Sequence, residues 1–531
     1  MCGLLAYFGD VHQLPDFETT FNQLRHRGPD DTEILKTDSN DATMCFHRLA
    51  IMDPTQKGHQ PFVDDSNGNI AICNGEIYNY EILKHDYEAT YKFKSHSDCE
   101  VLVPMYRDLG IEGMCQHLDA EFALVIWDNV KKKMVAGRDP IGIRPLFYGY
   151  SSENKIMFAS EIKVLTPYCQ KVESFPPGHY FDGEKFIQYK DLTTVTHYAP
   201  KDLDKHLKDI REKLVEGVRK RLVADVPVGF LLSGGLDSSL VCGIAHDLMK
   251  KPITTFSVGL DHNPIDIGYA KIVADHLKTI HHEVYFNKQD TLGVLDKLIW
   301  HLETWDITTI RASIGMHLVC KYIHEKTPIK VVLTGEISDE LFGYKYTDFA
   351  PSPEAFQKES KKRVDELHMY DVLRADRCIA ANSLEARVPF GDLDFVQTVM
   401  EIHPEFKMNT TGMGKWLLRK AFDGTNFIPD EILWREKAAF SDAVGHSMVD
   451  YLKEFADSQY TDADVANARE KYPHGTPFTK ESLLYRDIFE KHFKGHSGHI
   501  KDFWMPNKEW SNCDVADPSA RVLPNYGKSG V

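Results

Sequence analysis

Between residues 228 and 334 apolar runs of strand length alternate with helical segments, and this alternation leaves few folds open. Val228 to Leu232, Ile253 to Val258, His281 to Phe286 and Lys330 to Thr334 read as strands, with helices over Ser238 to Met249 and Gly268 to Lys278. Strands separated by helices predict a parallel sheet with crossovers. The first strand runs into Leu231-Leu232-Ser233-Gly234-Gly235-Leu236-Asp237-Ser238-Ser239, where backbone N–H groups and a helix dipole can converge on an anion. No lysine precedes the serines, so this is not a Walker loop. A carboxylate inside a phosphate loop would repel its ligand, so Asp237 predicts Mg²⁺ held jointly with a polyphosphate. A plain Gly-Ser turn is the bland alternative. The strand ending at Thr334 leads into Gly335-Glu336-Ile337-Ser338-Asp339-Glu340, at a carboxyl end where open α/β sheets bind ligands. Asp339 is then a second candidate Mg²⁺ ligand.

The first 190 residues differ. Short β-branched and aromatic runs, such as Asn69 to Cys73, Phe122 to Trp127, Met134 to Gly137 and Ile156 to Ala159, stand between turn residues and predict a sheet-dominated domain. Helical periodicity begins with Leu203 to Leu222, after an extended linker, Thr193 to Pro200. The expected units are a domain over 2–190, a second over 203–500, and a loosely ordered tail over 501–531. At 531 residues two domains are also what core size dictates. The net charge of −17, with no basic stripe, argues against a nucleic-acid partner. No apolar stretch approaches the ~20 residues of a membrane span. Without a secretory pattern at the start, the chain reads as cytosolic, and 10 cysteines without a CxxC pair read as reduced thiols.

Cys2 follows Met1, and removal of Met1 would leave a cysteine with a free α-amine. Such an amine, with a pKa of about 7.7 to 8.0, is roughly 10% neutral at pH 7 and can act as base for its own thiol. Asn74 and the Gly75 N–H could form an oxyanion hole, Glu76 and Asp98 suit an α-amine, and Arg48 suits an α-carboxylate. An Asn-Gly hairpin turn is the alternative for Asn74-Gly75.

Cys2-Gly3, His26-Arg27-Gly28-Pro29-Asp30, Asn74-Gly75-Glu76-Ile77-Tyr78-Asn79 and Ser97-Asp98 resemble the class II glutamine amidotransferase domain. The Ser233 loop resembles that of the ATP pyrophosphatases. Together with Arg138-Asp139-Pro140-Ile141-Gly142-Ile143-Arg144, Thr308-Thr309-Ile310-Arg311, Glu385-Ala386-Arg387-Val388-Pro389-Phe390 and Phe440-Ser441-Asp442, it resembles the asparagine synthetase B family over about residues 2 to 525. The resemblance implies an αββα glutaminase layer fold of the N-terminal-nucleophile type, joined to a doubly wound parallel-sheet α/β domain of the adenine-nucleotide α-hydrolase type with a helical cap. It also implies glutamine, aspartate and ATP as substrates, a β-aspartyl adenylate, ammonia passed between two sites, and a homodimer. Arg48, Leu49, Ile51, Asn74, Gly75, Glu76 and Asp98 would hold glutamine. Leu231, Ser233 to Ser239, Val258, Thr334, Gly335 and Lys437 would hold ATP. Thr308, Thr309 and Arg311 would lie near aspartate, and Glu336 would serve as base for ammonia.

Three positions depart from the family pattern: Ile337 stands where a glycine is usual, Tyr344 replaces a second glycine after Gly343, and Gly391 replaces a leucine. A β-branched residue at 337 would be strained if φ were positive there. Two competing readings are an amide-forming ligase acting on another carboxylate, and a homologue that has lost synthetase activity.

Overall fold

The computed structural model describes residues 1–262, 264–436 and 446–526, with the side chains of 446 and 447 left out. The first half stacks two six-stranded antiparallel sheets. One runs Cys169–Ser174, Phe147–Ser151, Ile156–Ala159, Gly3–Tyr7, Thr43–Arg48, Asp31–Lys36. The other runs Phe186–Gln188, His179–Phe181, Lys133–Arg138, Ala120–Asp128, Ile70–Ile77, Phe62–Val63. Strand alternation assigns the layers. Leu4 and Ala6 of Gly3–Tyr7 point between the sheets to meet Ile72, Val125 and Ala136, whereas Leu5 and Tyr7 face Phe21 and Leu24 on the outside. On the far side of the second sheet, Ala71 and Cys73 pack on Leu102 and Met105 of the helix Leu102–His117.

The second half holds one parallel sheet, ordered Ile280–Phe286, Thr254–Leu260, Val228–Leu231, Val331–Leu333, Glu385–Arg387. Chain order reverses on either side of the central strand Val228–Leu231, so its carboxyl end is a topological switch point, where a crevice opens. Helices cover both faces: Leu203–Arg221, Leu236–Met249 and Ile265–Leu277 on one, Lys288–Leu302, Ile307–Lys326 and Asp371–Ala380 on the other. The predicted strands and helices fall within a few residues of those observed. One alternative falls and one expectation needs correction. Asn74, Gly75 and Glu76 lie inside the strand Ile70–Ile77, paired with Ala123, Phe122 and Glu121, so there is no hairpin turn. The described part of the expected loose tail is packed: Trp510, Cys513 and Leu523 are buried against Tyr346 and Phe356, because that apolar surface would otherwise face water.

The halves share cores. Leu49, Ile51, Ile141 and Ile143 from the first join Leu214, Leu333 and Phe390 from the second. Buried ion pairs cross the same seam: Arg27 with Asp376 at 2.8 Å, Arg377 with Glu161 at 2.8 Å, Arg221 with Glu121 at 2.8 Å and Arg387 with Glu76 at 2.8 Å.

Candidate active sites

Cys2 enters the first strand beside the end of Thr43–Arg48. The Leu49 N–H donates to its Sγ at 3.4 Å, and burial pushes the thiol pKa up. The Cys2 N–H donates to Asn74 Oδ1 at 2.8 Å, which orients the amide and leaves Nδ2 buried with no partner. A buried unpaired donor costs about 1–3 kcal/mol, so it marks a place reserved for an acceptor. Gly75 is required by close packing: a Cβ there would stand 2.8 Å from Phe122 Cα. Met1 is fully buried, its amine 3.8 Å from Glu385 Oε2, and burial lowers that amine to about 6.

The other predicted glutamine ligands are near but engaged. The Arg48 guanidinium donates to the carbonyls of Met52 at 3.1 Å, Thr55 at 2.8 Å and Asp53, fixing the loop that follows Ile51. Glu76 faces Arg387 from the second half, and burial raises its pKa well above the ordinary carboxylate range despite that pairing. Asp98 accepts from the Ile77 N–H at 2.8 Å, and burial raises its pKa too. A depression beside the Arg48-held loop, bordered by Met52, Asp53, Tyr80 and Asp225, does not include Cys2.

The second site is a cavity of about 250 Å³ at the switch point, bringing together Leu231, Ser233, Gly235, Leu236, Asp237, Ser238, Val258, Thr308, Arg311, Thr334, Gly335, Glu336 and Asp339. Gly234, Ser239 and Thr309 do not line it, and Lys437 lies outside the described residues. Gly234 has φ of +71° and abuts Ala270 N so closely that a Cβ would collide. Its carbonyl accepts from Arg435 at 3.1 Å. Ser233 and Ser238 hydroxyls meet at 2.9 Å, closing the loop on itself. Gly335 lets the second loop approach the first, since a Cβ would lie 2.8 Å from Ser238 N.

The acids behave differently from one another. Asp237 accepts from Ser338 Oγ at 2.7 Å, and the Lys415 ammonium lies 2.8 Å from Asp237 and 2.6 Å from Asp339. Glu336 pairs through Oε1 with Arg374 at 3.1 Å, and its Oε2 is buried without a partner. Thr308 and Thr309 both donate to Asp306, at 2.5 and 2.8 Å. Arg311 is held by Glu481 at 2.5 Å and by Asp517 of the C-terminal segment at 2.9 Å. Lys415, Arg374, Arg435 and Asp517 escaped the sequence reading, for each sits in an ordinary helix, turn or tail with no local signature. Only Gly412 and Gly414, flanking Met413 just before Lys415, hinted at a functional turn.

Ile337 has φ of +82° and is buried. A Cβ on Gly391 would stand 2.8 Å from Ile337 Cδ1. Two of the three departures therefore meet: one position gains the bulk that the other lacks. At the third, Gly343 itself takes φ of +99° while Tyr344 is extended, a conformation open to any residue.

Two layered antiparallel sheets with a cysteine just before their first strand, joined to a parallel sheet with a Ser-Gly-Gly loop at its switch point, belong to the class of amidotransferase-linked synthases, as two family profiles show. The glutamine amidotransferase domain profile matches residues 1–194, and the asparagine synthase profile matches 209–361 and 347–516. The chain is 41% identical to a probable glutamine-hydrolysing asparagine synthetase of Schizosaccharomyces pombe, over 99% of each chain. It is 40% identical to the glutamine-hydrolysing asparagine synthetase of Homo sapiens, over 100% of each. The chain belongs to the glutamine-hydrolysing asparagine synthetase family.

Proposed function

We propose that this protein makes asparagine, taking nitrogen from glutamine at Cys2 and using ATP to activate aspartate in the second cavity. The observation that carries the reading is the pairing, on one chain, of an orphaned Asn74 Nδ2 beside a thiol with a phosphate loop facing two acids.

Loss of Met1 would free the Cys2 amine and vacate a buried space bordered by Arg27, Leu384 and Glu385. The amine takes the thiol proton, the sulfur attacks the glutamine side-chain amide, and Asn74 Nδ2 donates to the oxyanion, a contact worth roughly 3 kcal/mol. Ammonia leaves, and water cleaves the thioester to glutamate. In the second site the aspartate side-chain carboxylate attacks the α-phosphorus of ATP and pyrophosphate departs. Ammonia then displaces AMP, with Glu336 Oε2 placed to take its proton. For Arg311 to bind the aspartate carboxylate, Asp517 must give way. Leu231 and Val258 border the base, and Thr308 the aspartate.

Asp237 and Asp339 suit Mg²⁺, being oxygen donors already turned toward one cation, the Lys415 ammonium. No group of three or more His, Cys, Asp or Glu side chains able to hold a metal exists among the described residues, so phosphate oxygens and water would complete the shell. Bound there, Mg²⁺ would neutralise charge on the leaving pyrophosphate. No helix among the described residues is long and apolar enough to cross a membrane. A cytosolic homodimer is part of this proposal, checked by fractionation and light scattering. The decisive assay measures asparagine and AMP with glutamine or ammonium salts across a panel of carboxylates. ADP and orthophosphate as products, or indifference to aspartate, would refute the reading.

A further inference from the structure

We infer that Lys415 is the built-in counter-ion of Asp237 and Asp339, that it keeps free divalent cations out of the nucleotide-free site, and that it transfers to the polyphosphate when metal and nucleotide enter together.

Lys415 follows Gly412-Met413-Gly414, takes φ of +56°, and starts the short helix Trp416–Ala421. That turn drives its side chain inward, where it is 2% exposed. Its ammonium contacts both oxygens of Asp237 at 2.8 Å, Asp339 at 2.6 Å and Ser338 Oγ at 3.0 Å. Removing an ammonium from water is tolerated only where paired charges and hydrogen bonds replace its hydration. Four oxygens on three residues supply that here, so the cation is firmly seated.

The same carboxylates are those that suit Mg²⁺, and a metal bound about 2.1 Å from an oxygen cannot share the space with this ammonium. A bare metal would also have to displace a cation and leave it buried and unpaired. Arriving with a polyphosphate removes both penalties, because the phosphate oxygens accept the ammonium as the metal takes the carboxylates. The site thereby distinguishes metal–nucleotide from metal alone. Lys415 is then a positioning residue for the leaving pyrophosphate. Because this inference rests on the Mg²⁺–ATP reading of the site, its test separates the two.

Mn²⁺ binding by electron paramagnetic resonance, on full-length protein, reads out the competition without turnover. Wild type alone should leave the free Mn²⁺ signal undiminished, and wild type with an α,β-methylene ATP analogue should bind it. K415M without nucleotide should bind Mn²⁺ at least about tenfold more tightly than wild type, as expected when a competing unit charge is removed. K415R, which retains the charge, should still exclude it. Glutamine hydrolysis at the distant Cys2 site reports that each variant is folded. Mn²⁺ binding by nucleotide-free wild type as tight as by K415M would overturn the role of Lys415. Absence of binding even with the analogue would instead overturn the Mg²⁺–ATP reading. The wild-type measurement alone can sink the inference if K415M does not fold.

Discussion

The two sites are built on opposite plans. Around Cys2 the groups come from one strand start, one strand interior and one loop, and the half-buried Cys2 is set among buried Met1, Asn74 and Glu76. Around Asp237 the walls come from residues as far apart as 231 and 520, and the space is an open cavity. A tightly packed site suits a nucleophile whose oxyanion needs strong, fixed donors. An open, charge-lined one suits a polyanion that brings its own cation. A seam of buried ion pairs joins the two halves that carry them.

The sharpest way to break that comparison is at the reagents. Cys2→Ala should lower glutamine-dependent asparagine formation by about a thousandfold or more while synthesis from ammonium salts persists; loss of both would merge the two sites into one. Asp237→Ala should reduce ATP-dependent synthesis by about a hundredfold, with glutamate release from glutamine continuing. At the seam, Arg387→Met leaves Glu76 buried without its ion-pair partner and takes one of Glu385's partners. Unfolding should become easier by about 3–5 kcal/mol, and both activities should fall together, measured by denaturant titration beside the two assays.

The size exchange at 337 and 391 gives a smaller effect. Gly391→Leu should destabilise by about 1–3 kcal/mol through overpacking on Ile337, and Ile337→Gly in the same chain should restore stability, since it also relieves a positive φ. A double variant no better than the single one would dissolve the pairing. An effect of similar size concerns Met1. Its amine is held near 6 in the fold against 8.0 as the ordinary value, so between those limits the unfolded chain binds more protons. Protein retaining Met1 should therefore lose about 2 kcal/mol of stability as pH falls from 8 to 6, and little more below.

Both motif-bearing regions were legible because each depends on local pattern. Alternating strands and helices predicted the parallel sheet, and Ser233 to Ser239 the tight connection from its central strand into a helix, since a turn between a strand and a helix is set by neighbouring residues. Asn74-Gly75 was harder: the dipeptide reads as a turn, and only pairing with Ala123 and Phe122 makes it strand. Arg374 and Asp517 carried no signal, and Lys415 only the two glycines before it, because their partners in the site, Glu336, Arg311 and Asp237, lie 38 to 206 residues away.

By itself the sequence determined the two-unit organisation, the thiol at the start and the acids in the loops, because spacing and residue chemistry act over a few positions. Only the tertiary structure decided which charges neutralise those acids, that the C-terminal segment closes on Arg311, and that Ile337 fits because Gly391 is small. Coulombic pairing and packing depend on distance in space, which the order of residues does not specify.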